Sequence, residues 1–517
     1  MTAAQLVEPL EPGASSGLRS ATRGSVLNIV GALTTAVVGF VTVGVITNNY
    51  GQVGAGLFLS ATALFTLASN GARLGGESSL TFFVSRLRAN GQHGALKPLM
   101  RIALGSTLMA AGTATGIGLV MAPELSRLLT SDPGNVSTMT TTIRIFALAV
   151  PSFAVSQVLF GATRAFGTMR PSVWSGQIIR PVAQFLLVVV AVAVSAEIWP
   201  LAAAWATASL IATISVALWL RWRLRRDDWP PSPFRAAEYW RFAAPRSVTD
   251  LVASVLERLD ILLVAYFLSE SDAGIYGASS RLIVVSQLLM YATAQSMAPH
   301  ISVAFMQGRH QQAKELLSTI TAWNVALLWP LLIGLAFGAE TVLGLFGEGF
   351  ADGAAIVQVL ALSLLVIIGL GVGDTMLLMA GDSVASLASH VIALTVMLVT
   401  SALLLPQVGL IGAAWAWALS RLTIRSLAAA RVWYTSRIHV FGRPVILAAA
   451  VSTVSFVPTG FAVHHLIDSG WLAILAHLVA GGVIHIALSA RFRRELQLAQ
   501  LFEVLSRRPQ DEQVASR

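Results

Sequence analysis

The sequence predicts an all-α polytopic membrane protein of about fourteen transmembrane helices. Twelve of them form two six-helix lobes, related by an axis along the membrane normal around a central cavity. Three observations predict this: a composition too apolar for a water-soluble chain, basic residues sorted into alternate loops, and an internal repeat with an even number of spans.

Of 517 residues, 55% are hydrophobic and 11% charged, and the mean hydropathy is +0.73. Soluble domains carry roughly 25% charged residues. A helix needs about 20 apolar residues to cross a bilayer. Candidate spans start near residues 25, 54, 99, 141, 172, 199, 246, 272, 316, 354, 383, 408, 443 and 470, which leaves little chain for a soluble domain. The first, SVLNIVGALTTAVVGFVTVGVIT, is too long for a signal-peptide core and has no small-residue cleavage site after it, so it reads as uncleaved. With zero cysteines, disulfides and thiolate metal sites are excluded.

A net charge of +9 raises nucleic acid as a partner, and the placement of the arginines argues against it. With the N-terminus inside, 28 of the 34 Lys and Arg fall in inside segments. These are Arg19 and Arg23; Arg86, Arg88, Lys97 and Arg101; Arg164 and Arg170; seven arginines between 221 and 246; Arg309 and Lys314; five between 421 and 443; and six in the C-terminal tail. The outside loops hold only Arg127, together with the acids Glu124, Glu197, Glu270, Asp272, Glu340 and Asp468. Basic residues concentrate on the cytosolic side of membrane proteins, so both termini are expected there. The other five arginines, Arg73, Arg144, Arg180, Arg258 and Arg281, lie inside spans.

The repeat pairs GAGLF (54–58) with DAGIY (272–276), GQH (91–93) with GRH (308–310), and AAAWATASL (202–210) with GAAWAWALS (412–420), at offsets of 218, 217 and 210. Six spans per repeat give both halves the same orientation. The expected organisation is a cytosolic tail (1–24), an N-terminal six-helix lobe (25–221), a cytosolic linker (222–245), a C-terminal six-helix lobe (246–432), two additional transmembrane helices (433–490) and a cytosolic tail (491–517). In the linker, Pro230, Pro231 and Pro233 break the helix, and FRAAEYWRFAAPR reads as a short amphipathic helix on the inner surface.

Several spans carry a polar stripe at helical spacing, which must face protein or water rather than lipid. Span one has Asn28, Thr35 and Thr42, which read as helix-packing groups. Span two has Arg73 and Glu77, four apart and able to pair. Span five has Gln177, Arg180 and Gln184. Span seven has Asp250, Ser254, Glu257 and Asp260 with Arg258 beside them, and span eight has Arg281. Each charge costs about 2.5–3.5 kcal/mol at the centre of a span. Either a wet cavity or buried ion pairs would relieve that cost. The charges at 257, 258 and 260 have Gly39, Phe40 and Thr42 as their repeat counterparts, so they belong to one half only. That asymmetry fits a specialised site better than a shared scaffold requirement. Pro151, Pro181 and Pro330 interrupt spans four, five and nine, and GLGVGD (369–374) gives span ten a flexible run ending in Asp374.

There is no clustered set of metal ligands, no phosphate-binding loop of the G-x-x-x-x-G-K-[ST] type, and no outer loop large enough for a catalytic domain. The sequence is therefore read as a non-enzyme without a cofactor.

ERLDILLVAYFLSESDAGIYGASSRL (257–282) resembles the signature of bacterial oligosaccharide flippases: an Asp, an apolar run, then Gly-x-Tyr-x-x-Ala/Ser, carried by Asp260, Gly274, Tyr276 and Ser279. YGQVGAGLFLSATAL (50–64) and FRAAEYWRFAAPRSV are similar to that family's first turn and inter-half linker. The resemblance covers roughly residues 20–440 and points to the multidrug/oligosaccharidyl-lipid/polysaccharide exporter superfamily. It implies a V-shaped cavity, alternating access, a polyprenyl-pyrophosphate-linked oligosaccharide as cargo, and a bacterial cytoplasmic membrane location in cell-surface polysaccharide or envelope synthesis. Fourteen spans are also what lipid II flippases have, which keeps lipid II as an alternative cargo. The other readings are an ion-coupled multidrug exporter and, from another class, a membrane glycan polymerase or ligase. On the flippase reading, Arg180, Arg258, Arg281, Arg73, Gln177 and Gln184 are candidates for substrate contact. Glu257, Asp260, Asp374, Asp250 and Glu77 are candidates for coupling to a proton or sodium gradient. Expected partners are the lipid-linked substrate, membrane lipids, and a glycan polymerase or glycosyltransferases.

Overall fold

A computed structural model describes residues 14–226, 230, 232–284, 286–287, 290, 309–371, 383–436, 442–467, 470–493 and 495–496. The described residues are helical and contain no strand. In chain order the main helices are α1 (Ala14–Ala72), α2 (Gly76–Ala89), α3 (Leu96–Leu129), α4 (Val136–Ala165), α5 (Arg180–Val194), α6 (Trp199–Arg226), α7 (Ala236–Phe267), α8 (270–284), α9 (His310–Phe337), α10 (Ala354–Gly369), α11 (Ser383–Val408), α12 (Leu410–Ser436), α13 (Arg443–Leu466) and α14 (Gly470–Arg491). Among the described residues, ten helices are long and apolar enough to cross a membrane. The chain is a multi-pass membrane protein. Large apolar side chains such as Val120, Val194, Leu466 and Ile486 stand exposed on its outside, as lipid-facing positions do.

Most expected span starts open or enter a helix of their own, whereas the one near 408 falls on the last residue of α11, just before α12 begins at Leu410. Spans one and two are the two arms of α1, joined at Gly51, whose φ of 65° glycine adopts without the steric cost of a Cβ. Tyr50 anchors this corner by donating to the Ser195 carbonyl at 2.8 Å. Helices α1 and α3 to α6 close around Phe58, Phe65 and Phe146, whose rings pack at 5.0–5.9 Å. In the second half α10 buries Ile356, Leu360 and Leu364. Helix α13 packs on α9, and α14 on α13. His477 of α14, almost fully buried, bonds the Phe456 carbonyl of α13 at 2.8 Å. The expected linker helix runs through Pro245 into span seven without a break, so α7 is both linker and span. Its first turns bury Tyr239 and Ala243 against α2, α3 and α4 of the first half.

Two helix boundaries are consistent with the repeat offset. α4 starts at Val136 after a 3-10 turn at Pro133–Asn135, and α10 starts at Ala354, 218 residues on, after a 3-10 turn at Phe350–Gly353. The two halves also touch reciprocally at equivalent positions. A Cβ on Gly56 would land on the Glu270 carbonyl, and a Cβ on Gly274 would land on the Gln52 carbonyl. Gly56 and Gly274 are 218 apart, as are Gln52 and Glu270. Only glycine permits this approach of one backbone to another.

Candidate functional site

Most of the candidate charges gather in two groups, and Arg180 stands apart from both. The first lies where the halves meet at the linker end. Arg73 and Glu77 pair at 2.7 Å, which is the i, i+4 contact their spacing allows. Arg164, from the last turn of α4, binds the other Glu77 oxygen. On α7, Arg246 pairs with Asp250 at 3.2 Å and also donates to Ser78 Oγ at 3.3 Å. Three arginines and two carboxylates thus join α2, α4 and α7. These acids already have partners, so this group fits the ion-pair reading of the sequence better than the open-cavity one.

The second group lies in the C-terminal half. Asp260, 7% exposed, accepts from the Ile261 N–H at 2.9 Å and from the Tyr276 hydroxyl at 3.1 Å. The Asp and Tyr of the signature are therefore bonded to each other, and Ser279 packs against Gly353. Arg258, Arg281 and Arg421 stand within electrostatic reach around Asp260. Arg421 donates to the Leu256 carbonyl at 3.2 Å and stacks over Trp417 at 5.6 Å. Arg258 Nε is buried with no hydrogen-bond partner among the described residues. Glu257 is exposed and forms no ion pair among them. Three guanidinium groups thus lie within coulombic range of one buried carboxylate, and none forms an ion pair with it among the described residues. That arrangement keeps a surplus of positive charge and a spare donor, which suits a phosphate oxygen.

In the N-terminal half, span five opens with a π-helix, Val173–Ile179, directly before Arg180 and Pro181. Pro181 has no N–H to give the helical ladder, and π-turns often mark functional positions. Arg180 lies over the Phe153 ring at 5.1 Å, and its Nη1 is buried with no hydrogen-bond partner among the described residues. Gln177 Nε2 donates to Asn28 Oδ1 at 2.9 Å and its backbone carbonyl accepts from Thr35 at 3.0 Å, while its Oε1 is buried with no hydrogen-bond partner among the described residues. Gln184 is buried in α5, 8% exposed. Asp374 lies outside the described residues.

Arg421 and Arg164 were not among the expected site residues, because both sit in stretches that read as inside loops. Arg425 belongs with them. It donates to the Gly371 carbonyl, where span ten ends, at 3.3 Å. A pocket of about 570 Å³ lies apart from both groups, between the α2–α3 turn and the linker, with Arg86, His93, Phe234, Arg235 and Glu238 in its wall.

The fold defines a class: an α-helical, multi-pass membrane protein. Residues 106–355 match the polysaccharide biosynthesis protein family. The chain is 23% identical over 215 residues to "Probable low-salt glycan biosynthesis flippase Agl15" of Haloferax volcanii, covering 41% of this chain and 45% of that one. The chain spans about half the length of the curated relatives it matches. Its fold is similar to that of the lipid II flippase MurJ in an inward closed conformation, with a TM-score of 0.73, 12% identity, and coverage of 91% of this chain and 99% of the other. It is also similar to an inward-facing multidrug resistance MATE family transporter of the MOP superfamily, with a TM-score of 0.66, 14% identity, and coverage of 80% and 98%.

Proposed function

We propose that the protein is a flippase that moves a polyprenyl-pyrophosphate-linked oligosaccharide from the inner to the outer leaflet by alternating access, for cell-surface glycan or envelope synthesis. The observation that carries this reading is the set of three guanidinium groups, Arg258, Arg281 and Arg421, around the single carboxylate of Asp260. A cationic drug would be repelled by that surplus, whereas a pyrophosphate would be held by it. Arg180, beside its π-turn, is the matching contact from the other half. The family match and the flippase named among the relatives support the same class. Lipid II is the second reading, favoured by α13 and α14, since the MurJ fold covers more of the chain than the MATE fold does. Both cargoes present the same pyrophosphate.

On this proposal the linker end is cytosolic and the turn carrying Glu270 faces outside, in a bacterial cytoplasmic membrane. Coupling to a proton or sodium gradient rests on Glu257, which is exposed and without an ion pair among the described residues. Asp260 is held by Tyr276 and the Ile261 N–H, and serves to balance the arginines.

The test is ligand-dependent stability of the purified protein in detergent. A ligand at about 100 times its Kd stabilises by about 2.7 kcal/mol. Polyprenyl pyrophosphate should raise the melting midpoint, polyprenyl monophosphate should raise it less, and a permanently charged organic cation should leave it unchanged. Stabilisation by the cation alone would transfer the chain to the drug-exporter reading.

A further inference from the structure

We propose that Glu270 and Gln52 form a reciprocal latch between the two halves at the end away from the linker, with Glu270 as the positioning residue that sets how readily this end opens. The proposal rests on the two-halved transporter reading and deepens it.

The two residues occupy equivalent places in the repeat, 218 apart. Each side chain reaches across into the opposite half. Glu270, 3% exposed, accepts from the Ser131 N–H at 2.8 Å, the Ser131 hydroxyl at 2.5 Å, the Asn135 amide at 2.8 Å and, more weakly, the Asp132 N–H at 3.4 Å. All four donors belong to the turn between α3 and α4. Gln52 Oε1 accepts from Ser271 at 2.8 Å, and its Nε2 lies against Gly349. Gly349 is the counterpart of Ser131 by the same offset. Thus each half offers one residue to the corresponding turn of the other. One exchange is neutral and the other ionic, so the strength of the latch resides in Glu270. Charged hydrogen bonds are stronger than neutral ones.

The surroundings form a seal. Gly56 and Gly274 bring the backbones into contact between the two exchanges, Leu59 fills the space over Gly277, Asn48 donates to the Leu345 carbonyl at 2.8 Å, and Phe40 meets Phe346 at 5.1 Å. Every one of these contacts joins α1 to the second half. When the end opens, water can replace the lost donors around a carboxylate, which makes the latch reversible.

Burial alone would raise the Glu270 carboxyl, but the bonds from Ser131 and Asn135 outweigh it and hold the group down to about 2. A depressed carboxyl contributes stability that is present above its unfolded value of about 4.3 and lost as pH falls through the folded one. The Glu270 carboxylate therefore stays charged throughout the range from pH 5 to 8. Asp132 and Asp272, which share this end, are engaged with the Gly134 N–H and with Ser269.

The chain contains no cysteine, so a single reporter at Leu59, 3% exposed, reads the seal directly. With Leu59→Cys as background, reactivity toward a water-soluble maleimide is measured for Glu270→Gln, Glu270→Ala, Ser131→Ala and Asn135→Ala. Glu270→Ala should raise the rate by about tenfold or more, the scale of one charged hydrogen bond, and Glu270→Gln by less. Ser131→Ala and Asn135→Ala, on the other half, should raise it too, and neither should add its full effect to Glu270→Ala, as residues of one network behave. The unsubstituted latch should give a rate that, corrected for reagent chemistry, does not change between pH 8 and 5. An unchanged rate in Glu270→Ala at normal abundance overturns the proposal. So does loss of folded protein in all four variants, which would make the cluster a folding element. The readout requires no cargo, so failure of the latch and failure of the flippase reading are separate results.

Discussion

Arg281→Ala should reduce translocation of a lipid-linked pyrophosphate saccharide by roughly 10- to 150-fold, the range of one charge-assisted hydrogen bond at about 1.5–3 kcal/mol. Abundance in the membrane should stay near that of the unsubstituted protein. Removal of Arg281 leaves Asp260 bonded to Tyr276 and the Ile261 N–H, with Arg258 and Arg421 still in reach. Nothing buried is orphaned. Arg258→Ala should behave alike, since its Nε has no hydrogen-bond partner among the described residues to lose. If these arginines were halves of obligatory buried pairs, deletion would cost about 3–5 kcal/mol and the protein would fail to accumulate. Quantifying membrane abundance beside transport distinguishes the two.

The reverse is expected at Asp260. Asp260→Ala removes the one buried carboxylate among Arg258, Arg281 and Arg421, and it strips the fully buried Tyr276 of its acceptor. Leaving an uncompensated charge and an unsatisfied hydroxyl costs about 3–5 kcal/mol, a large part of a typical folding free energy of about 5–15 kcal/mol. Membrane-inserted protein should fall severalfold, and its melting midpoint should drop. Asp260→Asn keeps an acceptor for Tyr276 and should recover part of the loss. Normal abundance and transport in Asp260→Ala would remove the carboxylate from this account.

The contrast between these residues marks what sequence could and could not supply. Span starts were readable because a bilayer imposes a length on each helix, and the repeat was readable because GAGLF and DAGIY keep the glycines that let backbones touch. The Arg73–Glu77 pair followed from its spacing of four. Arg281, Arg258 and Arg180 stood out as charges in apolar runs. Arg421 did not, because it opens an arginine-rich stretch that reads as an inner loop, whereas α12 continues to Ser436, about four turns further. Arg164 finds its partner Glu77 across 87 positions of sequence, and no local pattern encodes that. Glu270 read as one more acid in an outer loop. Its burial comes from the fold, which docks the α3–α4 turn onto it. Gln177 had its Nε2 partner hidden from the sequence: the structure bonds it to Asn28, while its Oε1 is buried with no partner among the described residues. Asp260 likewise belongs to the packing of α7 on α8 before it belongs to any coupling site.

The most direct test of the central claim is translocation by the purified chain in sealed liposomes. A fluorescent polyprenyl-pyrophosphate oligosaccharide is incorporated in both leaflets, and the fraction accessible to an external quencher or glycosidase is followed over time. A flippase exposes the inner-leaflet pool and raises accessibility from about one half toward completeness, and Arg281→Ala slows this at equal protein density. Accessibility that stays at the protein-free level for pyrophosphate-linked saccharides and for lipid II alike, in vesicles that nevertheless accumulate or expel an organic cation, would contradict the account.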